Sequence, residues 1–358
     1  MIALFADAHV GNHKLHGGDS HAGVNRRAEM AIRAVAAAAT RAKERGCTAL
    51  VSLGDLFDTS ETSPQLIAAT MRAFRKGPFK TILLPGNHEK KSDTPGDHSL
   101  CIFGEGWTAY HVPEKASMHQ EAGGTPLLFV PFQTGRASEW LPEAVDKAMR
   151  KVRAVNPLLC AHVGIEDDLT EPWMRGHHDA VSADTLAALV EDYDLAGVVA
   201  GHWHQRRVWT AADNRPIEQV GALVPVSWKD PGLEGYGTLL FWDGTTLIRE
   251  EVAGPRFIEV RKFDEFDAVA GQDNVFVRFV VPASQVELTR TRVESASPMC
   301  HAEVLADKGS TEKHARSAAV AALQAADSGE ALAAYVSKME LPEGVAPGVV
   351  LEKVRSYL

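Results

Sequence analysis

The sequence predicts an α/β protein whose sheet is covered by helices, followed by a small α+β module and a helical tail. Three observations carry that prediction. The first two-thirds of the chain alternates short, wholly apolar runs with longer amphipathic segments. That is the pattern of strands buried on both faces. The 358 residues are 45% hydrophobic and 23% charged, an ordinary globular balance with room for one large domain and a smaller one. After Pro255 the pattern changes to short strands around brief helical stretches.

Taken in order, "IALFA" is a strand, and residues 25–45, rich in Ala and Arg and free of proline, form a helix ending near Gly46. "TALVSLGD" is the next strand, "PQLIAATMRAFRK" a helix, and "KTILLPGNHE" a strand running into a loop. "PLLFVPF", a helix over 139–154, "LLCAHVG", a helix over 182–191 and "LAGVVAGHWH" follow. "RPIEQVGALVP" and "GYGTLLFWDGTTLIREEV" read as hairpin strands with "WDGT" as the turn. "RFIEVRKF", "NVFVRFVV" and "CHAEVLAD" are the strands of the later module, with helical stretches near 264–270 and 286–294. From Thr311 the chain is helical in propensity, broken at "LPEGVAPG". The expected domains are therefore 1–252, 253–310 and 311–358.

Composition narrows the function classes. No apolar run approaches a membrane span, and "MIALFADAH" lacks the basic start of a signal peptide, so the expectation is a cytoplasmic protein without a membrane partner. Cys47, Cys101, Cys160 and Cys300 lie far apart and read as reduced thiols. A net charge of -10 argues against a protein coated in basic surface, although bound divalent cations would offset clustered carboxylates.

The chemistry sits at the strand ends. In an extended segment residues i and i+2 point the same way, so Asp7 and His9 face one place. Alone, that pair fits an acid–base pair, a capped turn or half a metal site. "SLGDLFD" adds Asp55, "LLPGNHE" adds Asn87 and His88, "LLCAHVG" adds His162, and "VVAGHWH" adds His202 and His204. Ligands of open α/β sheets bind at the carboxyl ends of strands, so five strand ends deliver eight such residues to one face. An oxygen and nitrogen set without thiolates suits two ions of the Mn²⁺, Fe or Zn²⁺ kind, with Asp55 as the carboxylate able to bridge them. Such a centre activates water for attack at phosphorus. Gly54, Gly86 and Gly201 each precede a candidate ligand, where tight turns need backbone freedom.

D-x-H, G-D-x-x-D, G-N-H-E, a lone His after a strand and G-H-x-H, in this order over residues 7–204, resemble the calcineurin-like metallophosphoesterases. The resemblance implies a two-sheet sandwich. It also implies one ion held by Asp7, His9, Asp55 and His204 and another by Asp55, Asn87, His162 and His202. His88 matches the family's catalytic histidine, and Asp58 and Glu89 match carboxylates that orient the liganding histidines. Thr59 stands where the phosphoprotein phosphatases of this family carry arginine. "GDLFD", "VSADTLAALVEDYDLAGVVAGHWH", "VGALVPVSWKDPGLEGYGTLLFWDG" and "PRFIEV" are similar to the SbcD-type nuclease subunits of double-strand-break repair complexes. That likeness implies a nuclease with 3′→5′ exonuclease and single-strand endonuclease activity, using two divalent ions, Mn²⁺ first with Mg²⁺, Zn²⁺ or Fe as alternatives. It further implies DNA as substrate, an SMC-like ATPase partner of the SbcC type and a homodimer, with residues 64–76 and 98–104 as candidates for its seam. The C-terminal third matches in layout more than in residues.

Other residues have plainer readings. Arg206 and Arg207 follow the last ligand and suit phosphate contact or a solvated surface pair. His13, His16 and His21 are read as solvent-exposed loop residues, Trp203 as packing, His177 and His178 as surface, and the acidic run 166–168 as a solvated loop. Leu332, Tyr335, Val336 and Met339, then Val350, Leu351, Val354 and Leu358, give the tail amphipathic faces, either packed on its own domain or holding the ATPase. Two rival functions stand beside the nuclease: a small-molecule or cyclic-nucleotide phosphodiesterase, and a scaffold that has lost catalysis.

Overall fold

The computed structural model describes residues 1–13, 20–77, 80–104, 109–120, 124, 126–151, 156–172, 174–226, 228, 236–296 and 298–307. The expected helical tail lies outside the described residues. The chain divides into one unit of Met1–Phe279 with Val293–Glu303, and a second of Val280–Arg292 with Val304–Leu358.

The first unit is built on two six-stranded sheets. In one, Ile2–Phe5 lies between Tyr236–Trp242, antiparallel, and Ala49–Ser52, parallel, with Lys80–Leu83 and Tyr110–His111 continuing in parallel. In the other, Leu158–His162 and Gly197–Gly201 are central parallel neighbours, flanked by Leu127–Val130 and Pro216–Gln219. The pleat's period of two sorts their apolar runs. Leu4, Val51, Leu158 and Cys160 share one buried cluster containing residues of both sheets. Ala3, Phe5 and Leu50 turn the other way, onto the helices Arg26–Glu44 and Pro64–Phe74. Leu159 and Ala161 likewise turn onto Ala137–Met149 and Ala183–Asp192. This is the two-sheet, helix-flanked sandwich that the sequence led us to expect.

Local signals set the helix ends. Asn25 and Ser63 accept hydrogen bonds from the amides of Ala28 and Leu66, and Ser182 from that of Thr185. The helix that begins at Ala137 is described to Met149. One pairing differs from expectation. Tyr236–Trp242 and Leu247–Ala253 do form a hairpin, its turn held by Asp243 accepting from the amides of Thr245 and Thr246. Pro216–Gln219, however, belongs to the other sheet, antiparallel to Arg207–Thr210. Ile217 and Val220 find their apolar partners in that sheet's clusters.

After the sandwich, Arg256–Val260, Val275–Val281 and His301–Ala306 form a three-stranded sheet. Arg26, at the start of the first long helix, donates to the carbonyls of Asp273 and Met299, and Arg27 lies over the Phe257 ring. In the second unit, the turn Ala283–Gln285 leads into the helix beginning at Val286.

Candidate metal centre

Parallel pairing in register puts the strand ends side by side. Phe5 is level with Ser52, and Ser52 with Leu83, so the loops carrying Asp7, Asp55 and Asn87 leave the first sheet together. In the second sheet His162 is level with Gly201, which places His162 beside His202. The loops are then locked to one another: the amides of Asp7 and His9 donate to the carbonyls of Gly54 and Asp55 at 3.1 and 2.9 Å. Asp7, His9, Asp55 and His202 hold φ of 52°, 43°, 50° and 104°. Left-handed backbone at a non-glycine residue costs on the order of 1–3 kcal/mol and persists where the surroundings impose it. Four such residues meeting in one place identify a site whose geometry outweighs local comfort.

Asp7, His9 and His204 form one group of possible ligand atoms and Asp55, His162 and His202 another, each within 4.8 Å, and His9 groups with Asp58 and His88 as well. Nε2 of His9 and Nε2 of His204 are 3.1 Å apart. Asn87 Oδ1 is 2.9 Å from both His162 Nε2 and His202 Nδ1. Asp55 Oδ2 lies 3.4 Å from His162 Nε2 and 3.9 Å from His9 Nε2, so one oxygen reaches toward both groups. Asp7 accepts from the amide of His202 through both oxygens, at 3.1 and 3.0 Å.

The donor set fits cations. His162 Nδ1 is 2.8 Å from the Leu53 carbonyl and must donate to it. A neutral His162 therefore turns its Nε2 lone pair on the Asn87 carbonyl oxygen, and two acceptors at that distance need a proton or a metal ion between them. The titration tendencies agree. Burial opposes charge on His162, yet the Asp55 carboxylate outweighs it and pushes the ring up to about 9. Burial raises Asp55, but the charge and hydrogen bond of His162 hold its carboxyl far below the ordinary range. Burial raises Asp7. Burial and the His162 charge push His202 down to about 3. The space allowed is tight: a Cβ on Gly86 would sit 2.2 Å from Asp55 Oδ1, and one on Gly54 2.0 Å from His162 Nδ1.

Around this centre each remaining residue has a definite place. His88 is 42% exposed; its Nδ1 lies 2.9 Å from the Asp58 carbonyl, which leaves Nε2 as the ring's open nitrogen, and its amide donates to Asp55 Oδ1. Asp58 faces His9 Nδ1 at 3.3 Å, an ion-pair approach off the hydrogen-bond line, and so turns His9 Nε2 toward His204. Glu89 acts differently from expectation. Instead of a histidine ring it takes the amides of Asp55, Phe57 and Gly86 at 2.8–3.0 Å, pinning two loops together. Burial and the Asp55 charge push its carboxyl up to about 8.

Three expectations are corrected. Arg206 pairs with the buried Glu218 at 2.7 Å. Arg207 binds Asp167, Thr170 and the Leu169 carbonyl at 2.9–3.0 Å. Both guanidiniums are thus committed to partners within the chain rather than offered to phosphate. Of the acidic run, Asp168 is exposed as expected, but Asp167 is engaged within the chain and also accepts from Trp209 Nε1 at 2.8 Å. His13 is not solvent-exposed, because its ring is 14% exposed and lies 3.3 Å from Asp58. Trp203 packs, its ring against Gly164, where a Cβ would come within 2.5 Å. His16 lies outside the described residues.

One residue escaped the sequence altogether. Asp179 is buried, and its Oδ2 is 3.9 Å from His202 Nε2, behind the nitrogen that faces Asn87. The run "HHD" ahead of the Ala180–Ser182 strand was the available signal, since that strand runs parallel to Gly164–Glu166, just after His162.

Comparison with known proteins adds the family. No curated protein matches. Among solved structures, a dimetal phosphatase from Danio rerio is similar at 10% identity and a TM-score of 0.45, over 70% of this chain and 95% of that one. A purple acid phosphatase from yellow lupin (Lupinus luteus) seeds is similar at 13% identity and a TM-score of 0.47, over 70% of this chain and 51% of that one. The calcineurin-like phosphoesterase family model matches residues 2–206, more than half the chain and the whole span from Asp7 to His204. With that match, and with two ligand groups joined by one carboxylate, the chain belongs to the calcineurin-like phosphoesterases, a family of metal-dependent hydrolases.

Proposed function

We propose that this phosphoesterase is a Mn²⁺-dependent DNA nuclease that works as a homodimer with an SMC-like ATPase in end processing, repair and recombination. The observation that carries the reading is the motif set itself. "GDLFD" followed by Thr59 departs from the phosphoprotein phosphatases and resembles the SbcD-type subunits. A second support is the three-stranded module beyond the family-matched span, tied to Arg26 and Arg27 of the helix that follows the first site loop. A minimal phosphodiesterase has no need of such an addition. Exposed Ile102, within the segment expected at the dimer seam, is a third.

Two divalent ions, when bound, would supply an acidified water as nucleophile and positive charge for the transition state. Asp7, His9 and His204 would hold one, and Asn87, His162 and His202 the other, with Asp55 between. The chain's own residues do the rest. Asp58 and Glu89 keep the ring of His9 and the two site loops in place. His88, with Nδ1 donating to the Asp58 carbonyl, presents Nε2 at the rim, where the imidazolium form can donate to a phosphoryl oxygen or a leaving alkoxide.

The test incubates the purified protein and His88→Ala with Mn²⁺, end-labelled linear DNA and bis-p-nitrophenyl phosphate. The nuclease reading expects DNA degradation that falls by about 10²–10⁴ in the variant. Cleavage of the small ester with DNA left intact, even after addition of a cognate SMC-like ATPase, would replace it with the small-molecule phosphodiesterase. Absence of both activities with ions bound would favour the scaffold.

A further inference from the structure

Among the described residues, one cluster of metal-ligating side chains has no member in the two-ion centre: His177, His178 and Asp179, whose candidate donor atoms lie within 4.8 Å of one another. The backbone of this run is fixed. The amides of Ala137, Gly164 and Ala180 donate to the carbonyls of His178, Asp179 and His177 at 2.7, 2.9 and 3.0 Å. The side chains combine two opposite conditions. Asp179 is 8% exposed, and its Oδ1 has no hydrogen-bond partner. His177 and His178 are 47% and 61% exposed, with ring centres 4.4 Å apart.

The contacts are those of donors facing a common point rather than of a finished hydrogen-bond network. His178 Nε2 comes within 3.0 Å of Asp179 Oδ1 but out of line for a hydrogen bond, so the approach counts as an ion pair only. His177 Nδ1 is 3.9 Å from Asp179 Oδ2 and accepts a long 3.4 Å contact from the Asp179 amide. A buried carboxylate oxygen without a donor is costly, and a cation held between it and the two nearby imidazoles relieves that cost. The 3.1 Å approach of His9 to His204 in the main centre has the same character.

We propose that His177, His178 and Asp179 form a third site, for a divalent transition-metal ion, at the edge of the two-ion centre. Two imidazoles and one carboxylate, with the remaining positions open to water, suit Zn²⁺ or Mn²⁺ rather than Ca²⁺. Asp179 Oδ2 also faces His202 Nε2 at 3.9 Å, so an ion here fixes the carboxylate behind a ligand of the main centre. Occupancy of the outer site is thereby felt inside.

Metal content after equilibrium dialysis against Zn²⁺ tests this without any activity. Wild type is compared with His177→Ala/His178→Ala and with Asp179→Asn, each checked for an unchanged melting profile. The expected result is one equivalent fewer in the double variant than in wild type, with the same equivalent still present in Asp55→Asn. Titration with Co²⁺ should show the corresponding loss of one set of visible bands. Equal metal content in wild type and double variant would overturn the proposal. So would loss of all bound metal in the double variant, because the site would then not be a separate one. Neither result depends on whether DNA is the substrate.

Discussion

The two sheets of the sandwich make unequal contributions to one site. The first sheet's strand ends bring both central carboxylates, Asp7 and Asp55, with the amide of Asn87 and the rings of His9 and His88. The second brings imidazoles only, His162, His202 and His204. The division follows from charge. Asp7 and Asp55 are both buried, burial raises each of them and the Asp55 charge raises Asp7 further, so the sheet that holds them does not keep them ionised alone. The opposing sheet answers with His162, which burial disfavours as a cation but Asp55 holds charged. A cation between them serves the same end. The centre is thus a seam between an acidic half and a basic half, and it exists only where the two sheets face each other.

That contrast can be broken from the acidic side first. Asp55→Asn removes the one carboxylate that reaches both ligand groups. Bound divalent metal should fall below the wild-type content, and phosphoester hydrolysis should drop to background; retained activity would show that Asp55 does not join the halves. Gly86→Ala should come next. Its Cβ would meet Asp55 Oδ1 at 2.2 Å, so the carboxylate must move. A lowered metal content and a lowered melting temperature are expected, and an unchanged pair would mean the loop has slack.

A smaller effect sharpens the comparison. Asp58→Asn leaves every ligand present but weakens the partner of His9 Nδ1, for which about 10–100-fold weaker metal binding by titration is expected. The smallest concerns the basic half's neighbours. Arg207→Ala breaks a partly exposed pair with Asp167, costing at most about 1 kcal/mol in chemical denaturation. Because its guanidinium is spent within the chain, the proposed nuclease, if it binds DNA, should keep the slope of its salt dependence in this variant. A slope reduced by about 1 would restore the phosphate contact that the structure argues against.

Much of this was legible in the residues. Wholly apolar runs such as "LLCA" and "GVVA" announce strands with no wet face, and Asn25, Ser63 and Ser182 announce the helix starts by their chemistry. The eight candidate residues could be read because each directly follows an apolar run, in an order that a family shares. Other features were not legible. Arg206 and Arg207 look free in sequence because Glu218 and Asp167 are 12 and 40 residues away, and charge pairing at that separation leaves no local mark. His13 reads as solvent-exposed in sequence because nothing local says that Asp58 will stand beside it. Glu89 was expected to orient a histidine. Its carboxylate instead found three backbone amides, and those of Asp55 and Phe57 come within reach only after two loops meet.

By itself, the sequence determined which apolar runs would be buried, where strands would end and which donor atoms would be available there. Periodicity and capping are local, so they survive in one dimension. Only the tertiary structure decided which donors share a centre: that Asp55 stands between His9 and His162, that Asp179 stands behind His202, and that Pro216–Gln219 joins the second sheet. Those facts depend on strand register and on the facing of two sheets across a packed core, and no stretch of the chain contains them until the whole has folded.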